Sequence, residues 1–234
     1  MSYDKHLATD EFKEWSKSYD RSILQWLIFG PSHRAIIRRI EQDAGRDRPI
    51  RILDVGCGTG VFAERIREAF PKAEVWGVDL VSAMLEKGAE RWRAHRGHVV
   101  PIQGDSERLP FQSSSFDFVT CANSFHHYPH QDRAVAEMKR VLTPGGRLLL
   151  IDGYRDGLWG RFIFDVCVTL REGNVHHCSL ARFRDLFAAA GLVDVEQDVH
   201  RGPAPFVLNI ARRPPVASAL PAPHFAVSSR TARV

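Results

Sequence analysis

The chain has 234 residues, 44% apolar and 26% charged, with a formal net charge of +4. This is the composition of a soluble globular protein with one full core or at most two small ones, and no stretch approaches the ~20 apolar residues that cross a bilayer. The excess charge sits at the end: Arg212, Arg213, Arg230 and Arg233 face no acid in 212–234, and 28 basic residues balance 28 acids in 1–211, which argues against a broad nucleic-acid face.

Residues 10–45 predict helices. Phe12, Trp15 and Tyr19 recur at helical spacing, then Ile23, Trp26 and Leu27. After Gly30-Pro31, Ile36, Ile37 and Ile40 mark a second stripe that ends near Gly45. The first residues carry charges and no apolar signal core, which predicts a cytoplasmic protein. Short apolar runs then alternate with amphipathic stretches. The runs are Ile50–Val55, Glu74–Val78, Val99–Ile102, Phe116–Cys121 and Arg147–Ile151. Between them, Phe62, Ile66 and Phe70 form one helix stripe, a helix capped by Ser82 runs to about His95, and Ala134, Val135, Met138, Val141 and Leu142 form a third. Such alternation predicts a parallel sheet covered on both faces. Leu158–Leu170 and Leu180–Ala190 read as helices, and Val193–Val199 with Pro205–Ala211 as a hairpin-like pair at the sheet edge. Residues 212–234, rich in Pro and basic, read as a disordered tail. Cys57, Cys121, Cys167 and Cys178 form no C-x-x-C pair, which predicts free, mostly buried thiols.

The first strand runs into Asp54-Val55-Gly56-Cys57-Gly58-Thr59-Gly60, followed by a helix. Glycines at 56, 58 and 60 let the backbone turn sharply and approach a ligand. Asp79 ends the second strand, where a carboxylate can accept two ribose hydroxyls. A dinucleotide fingerprint would need Gly at 61, where Val61 stands. The acid at 54 suits a ligand with an ammonium group and would be unwelcome beside a pyrophosphate.

Ile52–Gly60 resembles the first motif of the class I S-adenosylmethionine-dependent methyltransferases. Further matches are Gly77-Val78-Asp79-Leu80 with Ser82-Ala83-Met84-Leu85, Gly104–Phe111, Phe116–Val119 through His126-His127, and Leu142-Thr143-Pro144-Gly145-Gly146, in order over about residues 12–211. The similarity is to the small-molecule branch that includes the ubiquinone and menaquinone biosynthesis methyltransferases. It implies a Rossmann-like α/β fold: a seven-stranded, mostly parallel sheet with helices on both faces. Residues 1–45 would form a helical cap or lid and 46–211 the S-adenosylmethionine-binding domain, with 153–180 a substrate-facing insertion. It further implies that Asp54, Gly56 and Gly58 hold the methionine end, and that Asp79 takes the ribose with Leu80 and Met84 against the adenine. Asp105 and Ser106 would face the adenine edge, Asn123 would line the sulfonium region, and Tyr19 would belong to the lid.

Methyl transfer from a sulfonium is an in-line displacement on an activated carbon, so alignment and exclusion of water do most of the work. A base is needed only where the nucleophile must lose a proton, and histidine suits that role. His126 and His127 directly follow the fourth strand, and Asp152 ends the fifth on the same edge, where it could orient a histidine. Tyr128, Tyr154, Trp159, Phe162, His176 and His177 lie in segments that could cover this edge, and their aromatic content suggests an apolar or aromatic acceptor. No metal is expected, because no second ligand stands near Asp152. The expected partner is a small-molecule methyl acceptor, with no nucleic acid, no membrane span and an open oligomeric state. Two rival functions stay open. A DNA or RNA methyltransferase would favour an Asn/Asp-Pro-Pro clamp where Asn123-Ser124-Phe125 stands. A non-catalytic S-adenosylmethionine-binding or assembly protein would bind the donor without transfer.

Overall fold

The structure is a computed structural model that describes residues 29–94, 99–168, 175–202 and 205–216. Tyr19, the first of the expected N-terminal helices, and most of the expected tail lie outside the described residues. In chain order the elements are α1 (Gly30–Ala44), β1 (Arg51–Val55), α2 (Val61–Ala69), β2 (Glu74–Asp79), α3 (Ser82–Lys87), α4 (Ala89–Ala94) and β3 (Val99–Gln103). There follow β4 (Phe116–Ala122), a 3-10 turn (Phe125–His127), α5 (Gln131–Val141), β5 (Leu142–Gly153), α6 (Gly157–Arg161) and a π-helical turn (Phe162–Val168). The chain then forms α7 (Leu180–Ala189), β6 (Val193–His200) and β7 (Phe206–Arg212).

The seven strands form one sheet in the order β3-β2-β1-β4-β5-β7-β6. β3, β2, β1, β4 and β5 pair in parallel, while β7 runs antiparallel to both β5 and β6. Successive residues of the inner strands face opposite cores, which is why these strands read as unbroken apolar runs. Leu53, Val119, Leu148 and Leu150 pack with α5 and α7 on one face, through Met138, Phe183 and Phe187. Ile52, Phe118, Leu149 and Ile151 pack with α1 and α2 on the other, through Ile36, Ile40, Phe62 and Ile66.

Four details depart from the expected outline. The helix after Ser82 is two helices that meet at Gly88, where an added Cβ would lie 2.4 Å from the Thr59 carbonyl oxygen. The Thr143–Gly146 turn is absorbed into β5 as an irregularity, with Phe116 paired to Leu142 and Phe118 to Arg147. Of the expected hairpin pair only β6 lies at the sheet edge, because β7 is inserted between β5 and β6. Finally, Arg212 completes β7, and the Arg213 backbone N–H donates to the Gly146 carbonyl at 2.9 Å. Cys57, Cys121 and Cys178 are free and buried.

Candidate active site

The C-terminal ends of the parallel strands gather the expected site residues along one edge. The β1–β3 side of this edge is built from backbone. Gly56, Gly58 and Gly60 all have φ between 54° and 80°, a region open to glycine at little cost. The Gly56 and Cys57 N–H groups donate to the Val78 carbonyl at 2.8 and 3.1 Å, which ties the loop to β2. Asp79 then bridges the loop to the next helix: its Oδ2 accepts from Gly58 N–H at 2.8 Å and its Oδ1 from Val81 N–H at 2.9 Å. Burial raises the Asp79 carboxyl, while the N–H donors of Val81, Gly58 and Leu80 pull it back.

Gly56 is also demanded by packing. A Cβ there would lie 2.3 Å from Ser124 Oγ and 2.6 Å from the Tyr128 hydroxyl. These two hydroxyls are 3.1 Å apart, so both stand against the glycine loop. Ser124 carries no signal in the sequence beyond its place in the Asn123–Tyr128 string. An added Cβ on Gly58 would lie 3.4 Å from the Met84 methyl, which places buried Met84 beside the loop. Leu80 is exposed at the end of β2.

Asp54 is buried, and its Oδ1 accepts from Thr120 Oγ1 at 2.9 Å. Burial pushes its carboxyl up to about 7; the Thr120 hydroxyl lowers it and nearby Asp79 raises it further. At the β3 exit, Asp105 Oδ1 accepts from Glu107 N–H at 2.9 Å, with Ser106 between them. Gly104 N–H donates to the Asp79 carbonyl at 2.9 Å, which joins this loop to the β2 exit. Asn123 adopts a positive φ of 55°, and its Nδ2 donates to Ser32 Oγ at 2.9 Å. Buried Ser32 on α1 thus belongs to the edge, and nothing in its own sequence context marks it.

On the β4–β5 side the edge is built from side chains. Asp152 is buried and satisfied by three donors. Its Oδ1 accepts from His126 Nδ1 at 2.7 Å and from Gly153 N–H at 2.7 Å, and its Oδ2 accepts from His126 N–H at 2.9 Å. Burial alone would raise this carboxyl, yet the His126 imidazole, with His177 and Gly153 N–H, holds it below the usual range. An ionised acceptor at Nδ1 makes that nitrogen the donor and leaves the ring's lone pair on Nε2. The His127 ring centroid is 4.1 Å from that of His126, and burial, followed by the neighbouring His126 and His177, lowers its pKa well below the ordinary histidine value.

The fold brings in a third imidazole. His177 lies nearly parallel to His126, at 13° and 4.4 Å between centroids, and is buried. The expectation that Asp152 lacks a second ligand nearby therefore meets a different picture: the ligand atoms of His126, Asp152 and His177 lie within 4.8 Å of one another. Of the other aromatic residues expected to cover the edge, Tyr154 is buried, Tyr128 reaches the glycine loop, and Trp159 and Phe162 are exposed. No helix among the described residues is long and apolar enough to cross a membrane.

Residues 52–146 match the family described as "Methyltransferase domain". A demethylmenaquinone methyltransferase of Deinococcus radiodurans is 43% identical over 150 residues, covering 64% of this chain and 61% of that protein. A demethylmenaquinone methyltransferase of Staphylococcus aureus is 37% identical over 142 residues, covering 60% and 58%. The match thus spans about three-fifths of these relatives' length. Among solved structures, a possible histamine N-methyltransferase of Thermotoga maritima superposes with a TM-score of 0.67 at 21% identity, over 86% of this chain and 98% of that one. A phosphoethanolamine N-methyltransferase 2 of Haemonchus contortus, in complex with S-adenosyl-L-methionine, gives 0.65 at 20% identity, over 77% and 52%. Residues 52–146 thus match a methyltransferase domain, the sheet has the fold of these solved methyltransferases, and the chain resembles the demethylmenaquinone methyltransferases.

Proposed function

We propose that this protein binds S-adenosylmethionine on the Asp54–Gly60 loop and transfers its methyl group to a small apolar or aromatic acceptor. The observation that carries the reading is the donor side of the edge: a loop of three left-handed glycines clamped by Asp79 beside a buried acid. A buried carboxyl held near neutrality favours a cationic partner, which fits the ammonium of the methionine end. Among the described residues only the Met84 methyl stands over Gly58, which fits a close ligand. When bound, the cofactor supplies a methyl group on a positively charged sulfur that leaves as a neutral thioether.

The chain's residues do the rest. Asp54, Gly56 and Gly58 hold the methionine end, Asp79 the ribose, Leu80, Met84, Asp105 and Ser106 the adenine, and Asn123 the region beside the sulfur. Tyr19 is assigned to a covering segment. On the acceptor side, Asp152 holds His126 by Nδ1 and keeps Nε2 as the proton acceptor, so a hydroxyl or amine can lose its proton as the new bond to carbon forms. His127 shares this wall. The similarity to demethylmenaquinone methyltransferases suggests a quinol-like acceptor. The reading also takes the partner to be a small molecule, without nucleic acid, and places the protein in the cytoplasm. The test is incubation of the full chain with labelled cofactor and a panel of phenols, quinols and amines. Transfer to at least one acceptor is expected. Donor binding without transfer to any would point to a non-catalytic protein, and absence of donor binding would end the proposal.

A further inference from the structure

Asp54 and Thr120 stand side by side in one row of the sheet. β1 and β4 pair in parallel with Asp54 opposite Thr120, and the row continues to Gly77 on β2 and to Leu149 on β5. Side chains alternate between the two faces along a strand, so residues paired across such a row share a face. Gly77 has no side chain and Leu149 is apolar, which leaves Thr120 as the polar neighbour of Asp54 within the row. Both residues are buried.

The Thr120 hydroxyl has one hydrogen and two acceptors within reach: Asp54 Oδ1 at 2.9 Å and the Leu53 carbonyl at 3.4 Å. The shorter contact, to the oxygen of an ionisable acid, takes the hydrogen. A β-branched side chain on a strand has few χ1 choices, so the direction of this hydroxyl is set by the backbone of β4. Asp54 Oδ1 is thereby occupied, while Oδ2 makes no hydrogen bond among the described residues. A carboxylate held by one oxygen keeps the lone pairs of the other for a cation.

We propose that Thr120 is a positioning residue for donor binding: its hydroxyl fixes Asp54 through Oδ1, so that Oδ2 is presented to the ammonium group of the ligand. This deepens the donor-binding reading above and rests on it. The hydroxyl also favours the ionised acid, against the opposing effects of burial and Asp79. The other titratable groups around Asp54 are Asp79 at the β2 exit and two buried thiols, Cys57 in the loop and Cys121 on β4, both raised by burial and so protonated near neutral pH. On the helices that cover this face, His33 of α1 accepts from Arg65 of α2 at 2.9 Å, and burial followed by Arg65 lowers it to about 3.

The experiment uses the full chain in the wild type, Thr120→Val, which removes the hydroxyl, and Thr120→Ser, which keeps it; Thr120→Ala replaces valine if that chain does not fold. In the absence of ligand, the 13C carboxyl resonance of Asp54 is titrated against pH. Its midpoint should rise by about one pH unit in Thr120→Val and stay at the wild-type value in Thr120→Ser. Binding of S-adenosylhomocysteine is then measured by calorimetry. At pH 7 the valine variant should bind ~10-fold more weakly than wild type, and the gap should narrow to about threefold by pH 8.5, where the acid is ionised in both. Serine should stay within about threefold of wild type throughout. With an acceptor that reacts, the donor KM should rise in Thr120→Val while kcat stays within about threefold. A valine variant with the wild-type Asp54 midpoint or the wild-type affinity overturns the proposal, as does a serine variant as impaired as valine. A wild type that fails to bind S-adenosylhomocysteine defeats the functional reading and this proposal with it, whereas wild-type binding that Thr120→Val leaves unchanged defeats the proposal alone.

Discussion

On the β1–β3 side of the edge, Asp79 reaches Gly58 N–H across 21 residues and Val81 N–H across two, so one carboxylate closes the loop through backbone amides. On the β4–β5 side, His126 meets Asp152 across 26 residues, and His177 arrives on a third segment. The donor half is set by backbone conformation and close approach. The acceptor half is set by side chains on separate segments. A local backbone device can be shared by many proteins that take one ligand, whereas a wall assembled from distant side chains can change without disturbing it.

The sharpest way to break this comparison is to remove one group from each half. His126→Ala should lower turnover by roughly 10²–10⁴-fold with whichever acceptor of the panel reacts, and leave donor affinity nearly intact. Equal loss of both would show that the halves are not separable. Asp79→Ala should do the reverse at the binding step, weakening S-adenosylhomocysteine by ~100-fold, as expected when charge-assisted hydrogen bonds are lost. A titration showing wild-type affinity would remove Asp79 from the site.

Acidity should separate the halves more gently. The Asp54 carboxyl is raised to about 7, and an ammonium ligand favours its ionised form, so binding releases a proton. Donor affinity is then full above about pH 7 and falls about tenfold by pH 6, with one pH unit corresponding to one decade once the acid is protonated. Calorimetry across this range checks it, and an affinity independent of pH would mean that Asp54 does not pair with the ligand. The smallest effect lies where the halves meet α1. Ser32→Ala leaves the Asn123 amide without its 2.9 Å partner and should cost ~1–3 kcal/mol of stability, measured by denaturant unfolding. An unchanged midpoint would show that this hydrogen bond does not help to hold α1.

The same division between local and assembled parts decides what is legible in the amino-acid sequence. The inner strands β1, β4 and β5 are legible because strands buried on both faces read as apolar runs, as at Leu148–Ile151. The glycine loop and Asp79 are legible because spacing in one stretch carries their geometry. The split at Gly88 is not, because it follows from a close approach to the Thr59 carbonyl on another loop. The insertion of β7 beside β5 is not, because edge order depends on pairing between strands and not on the pattern within one. His126 and Asp152 can be paired from the ends of neighbouring strands. His177 can be placed only near that edge, since its stacking depends on Phe164, Gly153 and Gln131 acting together.

The most direct test of this two-part site is calorimetric titration of the full chain with S-adenosylhomocysteine at pH 8, in the wild type, Asp79→Ala and His126→Ala. Saturable one-site binding by the wild type, weakened ~100-fold in Asp79→Ala and unchanged in His126→Ala, is the predicted result. No binding by the wild type, or equal weakening in both variants, would contradict it.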